Sequence, residues 1–205
     1  PNITAWTGID AVAHALEGAT TRASVPVGQL YGLDALRILS DALPRAVADG
    51  SDLEARGQVQ WASLLAGLAL HNCNVHMGHN ISHALGSILR IHHGLATGLA
   101  LEAVLPWLTA RAEGAEAYAL VARALGHDAR ADALPGAFSD LMRTCGIPRE
   151  LPADGGGVTA AALAAEMKKP ANIGMSKNTA CAVSDTDLDD MAALVMQTRI
   201  GSGTA

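Results

Sequence analysis

Apolar residues recur along this chain at the spacing of a helix face, and no alternating strand pattern runs longer than a few residues. The apolar half of the sequence is mostly Ala and Leu, with aromatics at only 3%. Both residues favour helices, and Ala lets helices approach closely. The expectation is an all-α fold, one multi-helix domain over 1–200 with a flexible tail at 201–205.

Local signals place the helices. Thr7-Gly8-Ile9-Asp10 fits a capping box with Thr7 as N-cap, so a helix is predicted from there to about Ala19. A second runs from about Gly28 to Val47, ended or bent by Pro44. Ser51-Asp52-Leu53-Glu54 is another capping box, opening a long apolar stretch through Trp61 and Leu70. His76 to Gly86 is polar yet helix-compatible. Arg90 to His93 reads as a loop before an apolar helix reaching Leu105 and Pro106. Further helices are predicted at about Ala115–Leu125, Pro135–Arg143 and Thr159–Lys168, with a last one capped by Ser184-Asp185-Thr186-Asp187. Asp154 to Gly157 and Gly201 to Ala205 read as a loop and a tail.

Several function classes are disfavoured. The formal charge is −6, without the basic face and stacking aromatics that nucleic-acid binding needs. No apolar run is long enough for a membrane span. Cys73, Cys145 and Cys181 are odd in number and widely spaced, as in reduced thiols of a cytoplasmic protein. The chain begins Pro1-Asn2-Ile3-Thr4, and a fragment or processed chain is expected.

The histidines carry the chemical signal. Six of the eight lie between His71 and His93, where chance would place about one. Imidazole is a common ligand for borderline divalent metals. Asp10 and His14 are four apart and share a helix face, as do His79 and His83. Two such faces with one further His would offer a carboxylate and three imidazoles. That set leaves a divalent ion with net positive charge, suited to an anionic oxygen at an open position. Spacing alone leaves blander readings standing. Asp10 also fits as the acid of a capping box and His14 as a packed core residue. His71 and His76 fit as hydrogen-bonding residues at helix ends. Spacing does not choose between His92 and His93, or between His76 and His79.

Two stretches resemble the signatures of the iron-containing alcohol dehydrogenases. Thr7-Gly8-Ile9-Asp10-Ala11-Val12-Ala13-His14-Ala15-Leu16-Glu17 is similar to T-G-x-D-A-x-x-H-A-x-E. His79-Asn80-Ile81-Ser82-His83-Ala84-Leu85-Gly86 followed by His93-Gly94 resembles H-x-x-x-H-x-L-G with its downstream H-G. The likeness covers roughly residues 3–197. It implies a metal, iron(II) or sometimes zinc, on Asp10, His14, His79 and His93. His83 is then the further histidine near metal and nicotinamide, implicated in proton movement. The implied chemistry is alcohol–aldehyde interconversion by hydride transfer to NAD(P), with the metal as a Lewis acid.

The resemblance also implies an N-terminal α/β nucleotide-binding half that this sequence does not display. No G-x-G-x-x-G follows a strand, and Gly155-Gly156-Gly157 reads as a loop. The chain is therefore expected to be the C-terminal metal-binding half, working with that missing domain on a small alcohol or aldehyde. It is further expected to be a homo-oligomer, at simplest a dimer. Alternatives are a glycerol-dehydrogenase-like or dehydroquinate-synthase-like relative, or a non-catalytic metal-binding remnant. A helical phosphohydrolase would need its His-Asp supported by further ligands, and His127-Asp128 stands without them.

Overall fold

A computed structural model describes residues 1–151 and 158–199. Ten α-helices and one short 3₁₀ turn make up its regular structure, and there is no strand among the described residues. In chain order they are α1 (Asn2–Thr20), α2 (Pro26–Ala48), α3 (Leu53–Cys73), α4 (Met77–Leu89), α5 (His93–Thr109), α6 (Ala115–Ala124), α7 (Leu134–Thr144), α8 (Ala160–Met167), α9 (Pro170–Ser176) and α10 (Asp185–Arg199). The 3₁₀ turn, Ala131–Ala133, leads into α7.

A helix buried on nearly every side must be surrounded by others, and two helices meet that description. From Ala11 to Thr20 every α1 residue except His14 is buried. In α5 the whole run from Gly94 to Leu105 is buried. These two form the centre. α2 and α3 pack along α1 on one side, α4 lies against α5, and α8, α9 and α10 close the far side.

Small residues make this possible. A Cβ on Gly32 of α2 would stand 2.6 Å from the Ala15 carbonyl oxygen of α1. One on Gly94 would stand 2.0 Å from the Trp6 carbonyl oxygen and 3.2 Å from Asp10 Cβ. The first turn of α5 therefore lies directly on the turn of α1 that carries Asp10.

Several predicted boundaries move. Thr7 is not an N-cap, because α1 begins at Asn2 and the Thr7 hydroxyl donates back to the Ile3 carbonyl at 2.8 Å. A threonine inside a helix makes this i−4 bond readily, so its sequence signature mimics a cap. Asp52, not Ser51, caps α3 by accepting from Ala55 N–H at 2.9 Å. α2 continues past Pro44 to Ala48, since a proline one turn from the end removes little of the ladder. His93 is the first residue of α5 rather than part of a loop, and Arg90 ends α4 in the left-handed conformation (φ 54°). The seven-residue α9 was not predicted. The last cap was, and Ser184 Oγ lies 3.2 Å from Asp187 N–H, which donates to it. The predicted loop at Asp154–Gly157 and the tail at Gly201–Ala205 lie outside the described residues.

Gly94→Ala is expected to force α5 away from α1 and to lower stability by roughly 1–3 kcal/mol, as overpacking does. Gly67→Ala, on an exposed turn of α3 with open space around it, should instead stabilise by roughly 0.5–1 kcal/mol. Urea midpoints of the two variants moving in opposite directions check the packing.

Candidate metal centre

The helical period sets three polar side chains of α1, Asp10, His14 and Glu17, on one face at i, i+4 and i+7. The same period aligns His79 and His83 on α4. α5 contributes His93 at its first position, where the close contact through Gly94 holds it beside α1.

One donor atom from each of Asp10, His14 and His79 lies within 4.8 Å of the others. Asp10 Oδ1 is 3.8 Å from His79 Nε2 and 3.4 Å from His93 Nε2, and Asp10 Oδ2 is 3.9 Å from His14 Nδ1. The His14 and His79 rings stack at 4.6 Å, and the His93 ring lies 5.5 Å from that of His79. His93 thus joins the set from its side through Asp10. His83 stands on the solvent edge, its ring 5.4 Å from His93 and 6.2 Å from His79.

Two atoms at the centre lack what burial normally demands. Asp10 Oδ1 and His79 Nε2 are buried, and neither has a hydrogen-bond partner. Native proteins rarely leave such atoms unsatisfied. A cation between them would satisfy both, and a carboxylate with three imidazoles is a donor set for iron(II) or zinc(II).

Behind His79 the site is closed and tightly bonded. Glu17 is fully buried. Its Oε1 accepts from Gly78 N–H at 2.6 Å, and its Oε2 is 2.5 Å from His79 Nδ1. His76 occupies the position before α4 without a side-chain cap bond, its Nδ1 3.2 Å from Glu17 Oε1 and its Nε2 2.9 Å from the Thr20 hydroxyl. Beside them Asn80 donates to the Met167 and Asn172 carbonyls at 3.1 and 2.9 Å, fastening α4 to α8 and α9.

The electrostatics follow this geometry. Burial pushes the Glu17 pKa up, but His76 and His79 outweigh it and hold the group at about 2. Burial works to lower His79, and the Glu17 and Asp10 carboxylates overcome it, so its pKa is raised. Burial lowers His14 and His76 despite the carboxylates nearby. His83 and His93 are lowered as well, by partial burial and by their imidazole neighbours.

The remaining histidines separate cleanly. His92 caps α5, its Nδ1 accepting from Gly94 N–H at 3.2 Å, and its ring lies 5.2 Å from Trp6. His71 is exposed near the end of α3, and His127 is exposed with Asp140 at 3.9 Å. His76 does sit at a helix end, yet its buried contact with Glu17 ties it to the site. Glu17 was given no role from the sequence. Its position seven residues after Asp10, on the same helix face, was the available signal.

The model of the Fe-containing alcohol dehydrogenase family, C-terminal part, matches residues 4–198. A 1,3-propanediol dehydrogenase of Klebsiella pneumoniae is 39% identical over 99 residues, 48% of this chain and 26% of that protein. The crystal structure of a 1,3-propanediol oxidoreductase superposes with a TM-score of 0.83 at 29% identity, covering 95% of this chain and 51% of that one. A sulfoacetaldehyde reductase of Bifidobacterium kashiwanohense, solved with NAD+, gives a TM-score of 0.83 at 29% identity, covering 97% of this chain and 51% of that one. The chain spans about half the length of these structures.

The pKa shifts set a pH profile for the metal-free chain. His14 and His76 resist protonation when folded but take it up at the ordinary 6.5 when unfolded. Their contribution is therefore lost as pH falls below 6.5. Glu17, at about 2 folded against 4.5 unfolded, adds a loss as pH falls from 4.5 toward 2. His79 has the opposite sign, its contribution complete below 6.5 and lost as pH rises through its raised folded value. Urea midpoints should fall on acidification below pH 6.5, more steeply below 4.5; a rise between pH 6.5 and 5 would contradict the burial of His14 and His76.

Proposed function

The chain belongs to the Fe-containing alcohol dehydrogenase family, and we propose that Asp10, His14, His79 and His93 hold its metal, iron(II) with zinc(II) as a substitute. In this reading the chain is the metal-bearing half of an NAD(P)-dependent enzyme that interconverts small alcohols and aldehydes. One observation carries it. The unpartnered buried atoms Asp10 Oδ1 and His79 Nε2 face each other at 3.8 Å, with further donors from His14 and His93 beside them.

When bound, the ion supplies Lewis-acid charge that favours the deprotonated alcohol over its neutral form. Asp10 provides the one negative charge of the proposed set. Burial keeps His14 neutral and its lone pair available. Glu17, His76 and the packed residues behind them exclude water from the closed side. His83 and His93 stand at the open side, where a substrate would enter. His83 lies outside the proposed ligands but within reach of them, so its imidazole is placed to take the alcohol proton and pass it to solvent.

The nicotinamide cofactor is assigned to an α/β half like the one the sequence resemblance implies, with His83 facing it. Three buried free cysteines support a reducing, cytoplasmic setting. Leu30, Trp61 and Leu64 are 65%, 56% and 54% exposed on α2 and α3. Apolar surface of this kind supports self-association.

Anaerobic reconstitution followed by elemental analysis should give close to one iron or zinc per chain. His14→Ala, His79→Ala and His93→Ala should each greatly weaken that uptake, while His71→Ala and His92→Ala leave it within a few-fold. Loss of metal from His92→Ala with retention by His93→Ala would show the register to be wrong. Light scattering of the purified chain should also show self-association, and Trp61→Glu should shift it toward monomer. For activity, NAD(P)-linked oxidation of short alcohols and diols is expected when a family α/β half is fused to the chain, and His83→Ala should lower turnover there while keeping metal.

A further inference from the structure

Glu17 touches none of the proposed open positions, yet it is the most completely enclosed charge in the described structure, at 0% exposure. Its two oxygens are divided between partners. Oε1 receives Gly78 N–H at 2.6 Å and faces His76 Nδ1 at 3.2 Å, while Oε2 faces His79 Nδ1 at 2.5 Å. A carboxylate is acceptor-only, so the short contact to His79 requires the proton to sit on Nδ1. A neutral imidazole carries one proton, and placing it on Nδ1 leaves the lone pair on Nε2. Nε2 is the atom that faces Asp10 Oδ1 at 3.8 Å without a partner.

We infer that Glu17 is a positioning residue for His79, resting on the metal site proposed above: it holds the imidazole as the Nδ1–H tautomer and aims Nε2 at the metal. The Gly78 N–H serves the carboxylate in turn. The Gly78 N–H belongs to the first turn of α4, so one group fixes both the tautomer and the seat of the helix that bears it. Close approach is built in here too, since a Cβ on Gly78 would come within 2.9 Å of Glu17 Oε1.

Glu17→Gln tests this with little change of shape. The amide has one acceptor where the carboxylate has two. If its oxygen stays with Gly78 N–H, its NH₂ meets His79 and donates to Nδ1. The imidazole proton then moves to Nε2, which blocks the lone pair meant for the metal. Partners of ligating histidines that act in this way typically govern metal affinity by about 10–100-fold.

The experiment uses the whole chain and zinc(II) as probe. Affinity is measured by competition with a chromophoric chelator for the wild type, Glu17→Gln and His92→Ala. The protonated ring nitrogen of His79 is read by long-range ¹H–¹⁵N correlation in the zinc-loaded wild type. The expected result is a proton on Nδ1, a roughly 10–100-fold weaker zinc affinity in Glu17→Gln, and affinity within a few-fold of wild type in His92→Ala. Failure of the wild type to bind zinc would overturn the metal site and this inference together. Zinc binding by the wild type that Glu17→Gln leaves unchanged would overturn the inference alone. So would a proton on Nε2 of the zinc-loaded wild type, a result that does not depend on the variant folding.

Discussion

A charged carboxylate enclosed by protein must be matched group for group, because water cannot make good what is missing. Glu17 places that demand at the middle of α1, and the start of α4 meets it with the Gly78 N–H and the His79 imidazole, while His76 Nδ1 stands 3.2 Å away. Breaking such an arrangement by removing one partner is far more costly than the net worth of any single bond. The start of α4 is therefore held to α1 by polar satisfaction, while the body of the helix packs against α5, α8 and α9. His79 inherits its place from that constraint.

Small residues supply the other half of the geometry. Imidazoles and carboxylates reach only a few ångströms, so helices that share a cation must approach more closely than Leu-to-Leu packing permits. Gly94 brings the first turn of α5 onto the Trp6 carbonyl, and Gly32 brings α2 onto that of Ala15. Small residues, Ala along the helices and Gly at their closest approaches, thus let His93 meet Asp10 at 3.4 Å. Fold and site draw on one feature of the sequence.

Helical periodicity made most of the elements legible, because long amphipathic or fully apolar segments declare themselves locally. Capping was less legible. Thr7 and Ser51 both look like caps, but Thr7 bonds back within its own helix and Ser51 yields to Asp52. Which use a hydroxyl serves depends on where the chain before it goes, and spacing does not carry that information. The short α9 lacks enough turns to show a period. At the site, spacing brought out Asp10 with His14 and His79 with His83, but not the choice between His92 and His93. Their surroundings differ only in three dimensions: His92 turns back to cap α5 and lies against Trp6, while His93 Nε2 stands 3.4 Å from Asp10 Oδ1. Glu17 was hidden for a related reason. An acid on an Ala-rich helix declares no task of its own until the donors that enclose it, fifty-nine or more residues later, are folded against it.

The resulting cluster has two unlike sides. On one, Glu17, His76 and Thr20 form a buried and bonded wall. On the other, His83 and His93 are exposed, and partial burial holds both pKa values below the ordinary imidazole range. A rigid wall suits ligand geometry, because side chains locked by their own partners cannot drift as charge changes at the centre. An exposed pair of imidazoles suits exchange, because protons and small molecules can come and go there. The same asymmetry says where a nicotinamide would have to stand. On the proposed reading it would approach from the His83 side, since the wall leaves no room behind His79. A protein half that covered this open face would also strip it of water, and every electrostatic interaction within it would strengthen.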